Sequence, residues 1–324
     1  MITFFVDGAG KQGLGHIYRS INLASTFSKK YKIKFLISKF KSKKNIKLLK
    51  IIFSKYEFKL KFITNNLSIE FEKDIYKNIL FDHPKLKEKT INIAKKFYSK
   101  ILIIDDENTL KKYNCDLLIN QNAYSKKFKY KNFNKNQKKA IGQNYTILKE
   151  YPIKGKLRLK KNIKKILLLF GATDVKNYYK YLIQKLDTYK VFIPVNNSTI
   201  EEKVSKLKKT KNLKILRNIS IRKIIINKKI DIVISCCGSS LYDLFSFKIP
   251  IIGIQCSDDQ NNAHAFYSKK KAIIGSNMQN IQNDLNKLNY KKRIMLVKNS
   301  QKYYNFNGKY LLRNKIIKLI NDND

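Results

Sequence analysis

The segment Asp7-Gly8-Ala9-Gly10-Lys11-Gln12-Gly13-Leu14-Gly15-His16-Ile17-Tyr18-Arg19 holds the residues best suited to chemistry in this chain. Four glycines within eight residues let the backbone approach a ligand closely and take positive φ. A helical pattern starts directly afterwards. Its unpaired N–H groups and the positive end of its dipole point back at the glycine turn, which suits a diphosphate or a developing anion. His16, one of three histidines, falls in the first helical turn, with Arg19 one turn further on. Dipole and Arg19 both act to lower the imidazole pKa, so the sequence predicts a neutral ring able to accept a proton. An isolated His at such a position serves as a hydrogen-bonder to a loop; the glycine setting favours a general base.

The spacing of Gly8, Gly10 and Gly13 is that of a dinucleotide-binding turn, but no acid stands about 20 residues on, near Ile37-Ser38, so no nicotinamide cofactor is expected. Two further glycine turns follow apolar runs: Gly171-Ala172-Thr173-Asp174 and Gly238-Ser239-Ser240-Leu241-Tyr242-Asp243. Each alone is a plain connector; together they place amides, hydroxyls and one carboxylate at strand ends. Asp243, a turn into its helix, either accepts ribose hydroxyls or complements the helix dipole. Asp82-His83-Pro84 and Asp105-Asp106-Glu107 close two earlier strands. His83 reads as a strand-end His held by loop backbone ahead of a catalytic group. Three acids in a row do not converge as a cation needs, so no metal is expected. Cys115, Cys236, Cys237 and Cys256 match neither a zinc pattern nor a disulfide framework, and Cys236 and Cys237 are expected to act as small buried residues.

The elements that must position these residues alternate. Strands are predicted at 2–7, 32–38, 58–63, 78–82, 100–105 and 116–120, then at 165–170, 190–194, 213–216, 231–236 and 250–254. Helical patterns fall between, at 16–29, 43–55, 85–98, 176–186, 199–208, 221–228 and 239–247, with a last one over 310–320. This is an α/β chain of two doubly wound domains, 1–150 and 151–305, facing each other across a cleft, with 306–324 returning to the first domain. The boundary lies in the basic stretch 149–163, which contains Pro152 and Gly155. A length of 324 residues and 43% hydrophobic content support two packed cores and exclude a disordered or collagenous chain. Lys and Arg number 69 against 23 acids, a net charge of +46. Arg, the better reader of phosphates and base edges, stands only at 19, 158, 217, 222, 293 and 313, so no specific nucleic-acid partner is expected. No membrane-spanning run or secretory leader is read, which predicts a cytoplasmic enzyme.

Taken together, Gly13-Leu14-Gly15-His16-Ile17-Tyr18-Arg19, Asp82-His83, Ile104-Asp105-Asp106, Cys115 to Asn122, Ile141 to Leu148, Phe170 to Asp174, Ser235 to Ser240, Gly308 and Arg313 resemble, in order, one family. It is that of the UDP-2,4-diacetamido-2,4,6-trideoxy-β-L-altropyranose hydrolases of pseudaminic-acid synthesis, relatives of the MurG-type GT-B glycosyltransferases. The chain departs from the family pattern at Pro84, Asp243 and Asp259. The resemblance implies a GT-B fold and inverting, metal-independent hydrolysis of a UDP-sugar, with His16 activating water against the anomeric carbon. It implies that Asp7, Gly13, Gly15, Arg19, Asp82 and His83 lie on the sugar side. On the UDP side it implies Gly171, Ala172, Thr173, Gly238, Ser239 and Ser240, with Asp243, Asp259 and Gln260 as polar contacts. No cofactor is implied. The alternative is a GT-B glycosyltransferase passing the sugar to another acceptor in surface polysaccharide assembly. For that reading the apolar, basic stretch 40–53 would dock on a membrane; as a plain surface helix it needs no such role.

Overall fold

Every strand pair among the described residues runs parallel. The computed structural model describes residues 1–7, 14–38, 43–63, 67–72, 76–130, 133, 137–155, 159–171, 174, 176–207 and 210–322. They divide into two compact units, Met1–Lys149 with Asn305–Asp324, and Glu150–Tyr304.

The first unit holds a seven-stranded sheet built from β1 (Ile2–Asp7), β2 (Ile33–Ser38), β3 (Lys59–Phe62), β4 (Asn78–Asp82), β5 (Lys100–Ile104), β6 (Leu117–Asn120) and β7 (Lys138–Ile141), in the order β3-β2-β1-β4-β5-β6-β7. Residues of β1, β4 and β6 are buried throughout, because helices cover both faces of a parallel sheet and an unbroken apolar run satisfies both. Edge strand β3 instead exposes Lys59 and Lys61, which discourages further pairing. The chain starts in the middle, builds outward to β3, then crosses to β4 on the other side. The order therefore reverses between β1 and β4.

The second unit repeats the plan with six strands, β8 (Lys165–Leu169), β9 (Lys190–Val195), β10 (Leu213–Arg217), β11 (Ile232–Cys236), β12 (Ile251–Ile254) and β13 (Ile274–Ser276), ordered β10-β9-β8-β11-β12-β13. Its reversal lies between β8 and β11.

Helix α1 (Gly15–Ala24) stops short of the expected 29. Ser25 and Thr26 turn their hydroxyls onto the carbonyls of Asn22 and Leu23, at 3.1 and 2.6 Å, and compete with the helix ladder. Helices α2 (Lys43–Phe53), α4 (Glu88–Ala94), α5 (Tyr178–Lys185), α6 (Ser198–Ser205), α7 (Ile221–Lys228) and α8 (Ser240–Ser246) fall where helical periodicity was read. Helices α3 (Leu67–Glu72), α9 (Asn261–Lys269), α10 (Ile281–Asn286) and α11 (Tyr290–Ser300) were not anticipated. Their apolar stripes are too narrow to stand out: α9 buries only Ala263 and Tyr267. Strands β7 and β13 were also missed. One begins with two lysines and the other centres on Gly275, so it is ladder pairing to β6 and β12, not composition, that makes them strands.

Helix α12 (Gly308–Asn321) packs on the first unit. A Cβ at Gly308 would lie 2.4 Å from the Thr146 carbonyl oxygen, so the helix can start there only without a side chain. Arg313 donates to the Thr26 carbonyl at 3.2 Å, and Lys315 to that of Lys139 at 2.6 Å. No helix among the described residues is long and apolar enough to cross a membrane.

The cysteines correct the sequence reading. Cys236 and Cys256 form a disulfide, with Cα atoms 5.6 Å apart, across 20 positions of chain. The ladder puts Cys236 opposite Ile254, so Cys256 arrives beside it, a neighbourhood that residue spacing alone does not encode. Cys115 and Cys237 remain buried free thiols, and burial pushes both up to about 12.

Candidate active site

The first unit gathers its polar residues at the carboxyl ends of the strands beside the reversal, where open α/β sheets bind ligands. Asp82 ends β4 and lies one ladder neighbour from Val6 of β1. His16, Arg19 and Ser20 stand at i, i+3 and i+4 of α1 and so share one face of it. That face meets Asp82.

Both carboxylate oxygens of Asp82 are fully engaged. Oδ1 lies 2.7 Å from His16 Nδ1 and accepts from Arg19 NH2 at 2.5 Å. Oδ2 accepts from Arg19 Nε at 3.0 Å and from the Ser20 hydroxyl at 2.8 Å. Four donors fill the capacity of an ionised carboxylate. Burial opposes that charge, but Arg19 and then His16 outweigh it and hold the carboxyl far below its usual range. The Asp82 side chain is 0% exposed and that of Arg19 only 5%, so this is a buried pair with its remaining hydrogen bonds satisfied.

The charge on Asp82 assigns the imidazole tautomer. A lone pair on Nδ1 would face an anionic oxygen at 2.7 Å, so Nδ1 carries the proton and donates. The 3.1 Å approach of Arg19 NH2 to the same nitrogen then places two donors on one acceptor. Nε2 has no hydrogen-bond partner among the described residues, and the His16 side chain is 18% exposed. A neutral His16 therefore presents a lone pair on its outward nitrogen.

The predicted direction of the His16 shift is corrected. Burial lowers the imidazole pKa and Arg19 adds to this, but the charge and hydrogen bond of Asp82, with help from Asp106, raise it above 6.5 overall. Arg19 is near His16 in the chain, whereas Asp82 and Asp106 reach it only through the pairing of β1 with β4 and of β4 with β5.

A chain of polar groups extends from Arg19. Its NH1 donates to Asp106 Oδ2 at 2.6 Å, and Asp106 Oδ1 accepts from Asn122 Nδ2 at 2.9 Å. Asn122 also donates to Asn120 Oδ1 at 2.8 Å, and Asn120 donates to the Asp105 carbonyl at 2.7 Å. Asp105 turns inward: it accepts from the backbone N–H groups of Glu107 and Thr109 and from the Tyr113 hydroxyl at 2.6 Å. The acid run is thus divided between a loop-building Asp105 and a site-facing Asp106. Among the described residues no group of three potential ligands is placed to hold a metal ion.

His83 is occupied. Its Nδ1 accepts from the Lys85 N–H at 3.1 Å, which leaves Nε2 to donate to the Ser38 hydroxyl at 3.1 Å. Asp7, across the ladder from Ser38, is 8% exposed, and its Oδ1 has no hydrogen-bond partner among the described residues. Gly15 opens α1. Gly13 lies outside the described residues, as do Gly8 and Gly10.

In the second unit, Gly171 takes φ +71 directly after β8, a conformation that favours glycine. Ala172 and Thr173 lie outside the described residues. Asp174 faces inward, accepting from the N–H of Tyr178 at 2.8 Å and of Tyr179 at 3.3 Å at the start of α5. Gly238, Ser239 and Ser240 are partly exposed at the β11 end. Gln260 Oε1 accepts from the backbone N–H of Cys237 at 3.2 Å and of Cys256 at 3.0 Å, tying the loops after β11 and β12 together. Asp243 is buried and accepts from the Glu150 N–H at 3.3 Å, whereas Asp259 is exposed. Asp106 and Asn122 stand in motifs that carry the resemblance but had no site role assigned from sequence, and Ser20 was not singled out; the i, i+4 spacing from His16 was the available signal for Ser20.

Comparison with known proteins supports the architecture. No protein-family model matches the chain. An uncharacterised protein of Methanocaldococcus jannaschii is 22% identical over 285 residues, covering 83% of this chain and 58% of its own length, so the chain spans little more than half of that relative. Among solved structures, MurG of Acinetobacter baumannii superposes with TM-score 0.64 at 12% identity, over 98% of this chain and 99% of its own. The calicheamicin glycosyltransferase gives 0.64 at 8% identity, over 98% of each chain. The UDP-GlcNAc 2-epimerase of Neisseria meningitidis, bound to UDP-GlcNAc, gives 0.57 at 13% identity, over 98% and 100%. The chain has the GT-B fold, two Rossmann-like domains each built on a parallel sheet flanked by helices.

Proposed function

We propose that the chain acts on a UDP-linked sugar, breaking the bond between the anomeric carbon and the diphosphate oxygen by attack of a hydroxyl. The observation that carries this reading is the 2.7 Å contact between His16 Nδ1 and Asp82 Oδ1, with Nε2 unpaired among the described residues and the side chain 18% exposed. As the new C–O bond forms, the proton of the attacking oxygen passes to Nε2 and UDP leaves with the electron pair of the broken bond. Asp82 keeps its charge, holds the tautomer and stabilises the imidazolium. General base catalysis is worth roughly 10²–10⁴-fold, so positioning and stabilisation of the departing diphosphate must supply the rest.

The sugar is assigned to the first unit, near Asp7, Gly13, Gly15, Arg19 and His83. The nucleotide is assigned to the strand-end loops of the second unit, with Gly171, Ala172, Thr173, Gly238, Ser239 and Ser240, and Asp243, Asp259 and Gln260 as polar contacts. The UDP-GlcNAc seen in the Neisseria meningitidis epimerase supports a UDP-sugar as ligand class.

Transfer to a hydroxyl-bearing acceptor is supported by the likeness to a named glycosyltransferase. Hydrolysis, with water in the acceptor's place, is supported by the Gly13-Leu14-Gly15-His16-Ile17-Tyr18-Arg19 motif and would yield a free diacetamido-trideoxy sugar. Incubation with a panel of UDP-sugars, followed by mass spectrometry, tests both. UDP and free sugar formed without acceptor support hydrolysis; UDP release only when a saccharide or lipid acceptor is added supports transfer. No UDP release under either condition, or full turnover by His16→Ala, overturns the reading.

A further inference from the structure

Arg19 is held by two carboxylates: its Nε and NH2 grip Asp82, and its remaining nitrogen NH1 donates to Asp106 at 2.6 Å. Asp106 has a second, neutral partner in Asn122 at 2.9 Å. The charged groups acting on His16 are Arg19 on its own helix, Asp82 at the end of β4 and Asp106 beyond β5. Arg19 and Asp82 balance in formal charge, although Asp82, in direct contact with the ring, acts on it more strongly than Arg19. With His16 neutral, Asp106 leaves this cluster one negative charge in excess, which a proton on the imidazole would balance. Arg19 is almost wholly shielded from solvent, whereas the Asp106 side chain is 25% exposed.

We propose that Asp106 is a positioning residue for the base: it fixes the third nitrogen of Arg19 and supplies the excess negative charge that allows His16 to hold a proton in the resting site. Without Asp106, one Arg and one Asp would remain beside a mostly buried ring, and the loss of that negative charge would favour the neutral imidazole. The residue thus adds to the upward pull of Asp82 on the pH at which the base becomes available, while Asp82 also sets its tautomer. Neither role requires Asp106 to touch the substrate.

The inference rests on reading His16 as the base, but its test needs no substrate. With three histidines in the chain, the His16 ring can be assigned by comparison with His16→Asn and titrated by NMR in the substrate-free protein. Asp106→Asn is expected to move the His16 titration to lower pH and to shift the acid limb of kcat the same way, with UDP affinity by calorimetry unchanged. Asp106→Glu restores the charge and is expected to titrate as the wild type. Should Asp106→Asn not fold, Asp106→Ser is a second neutral replacement with the same expected direction. A His16 titration unmoved by either neutral variant overturns the proposal. A moved titration in a protein that releases no UDP from any UDP-sugar leaves the positioning role standing and removes the proposed function.

Discussion

His16 and Asp82 are separated by 66 positions in the chain, yet Nδ1 and Oδ1 meet at 2.7 Å because the strand that precedes His16 pairs with the strand that ends at Asp82. The base stands on the helix leaving β1, and the acid terminates β4. One crossover therefore assembles the pair, and each of its properties can be tested separately.

Asp82→Asn replaces an acceptor-only group with one carrying an N–H. If that N–H faces His16 it demands the lone pair on Nδ1, which moves the ring proton to Nε2 and blocks the base. Turnover is expected to fall by roughly 10²–10⁴-fold with UDP affinity retained. The same change leaves Arg19 with Asp106 as its one carboxylate partner in a buried place, at a cost of about 1–3 kcal/mol. Steady-state kinetics and urea denaturation measure the two effects independently.

The pH dependence follows from the directions of the shifts. A base must be neutral, and the folded-state pKa of His16 is raised, so the acid limb of kcat/KM is expected above pH 6.5. Because that pKa is raised, the stabilisation from protonated His16 is complete below about pH 6.5 and is lost as pH climbs through the folded value. Asp82 acts with the opposite sense. Its pKa is lowered, so its stabilisation is complete above the ordinary carboxylate value of 3.8 and disappears as pH falls below it. A kcat/KM acid limb lying below pH 6.5 would contradict the assignment; denaturation midpoints across pH 2–9 read the rest.

His83→Ala separates the two histidines at the carboxyl ends of the central strands. It removes an acceptor for the Lys85 N–H and a donor to Ser38, and a loss of about 1–3 kcal/mol is expected. The acid limb of the pH profile should stay where it is, since both His83 ring nitrogens are engaged by Ser38 and the Lys85 N–H. An acid limb displaced in this variant would give His83 a part in the proton transfer.

Gly308→Ala tests how α12 is seated. Helix propensity alone would favour Ala by about 1 kcal/mol. The added Cβ would lie 2.4 Å from the carbonyl oxygen and 2.5 Å from the nitrogen of Thr146, both backbone atoms that cannot swing aside. The clash outweighs the propensity, with a net loss of about 1–3 kcal/mol expected as a lower urea midpoint. A gain in stability would mean that the helix start can shift.

Local pattern was enough to recover the alternation of strands and helices, the α/β class, and the placing of His16 and Arg19 one turn apart on a helix that begins at Gly15. Those features depend on residues near one another in the chain, through periodicity, turn chemistry and the geometry of a helix start. Tertiary structure decided which acids reach His16 and therefore the direction in which its proton affinity moves, because Asp82 at the end of β4 and Asp106 just beyond β5 are carried by strands whose neighbours are set by a crossover. It likewise made strands of 138–141 and 274–276 by pairing them at sheet edges, and brought Cys256 to Cys236 through the register of β11 with β12. A sequence states what each segment favours on its own; only folding specifies which charges and thiols meet, and these encounters govern the chemistry.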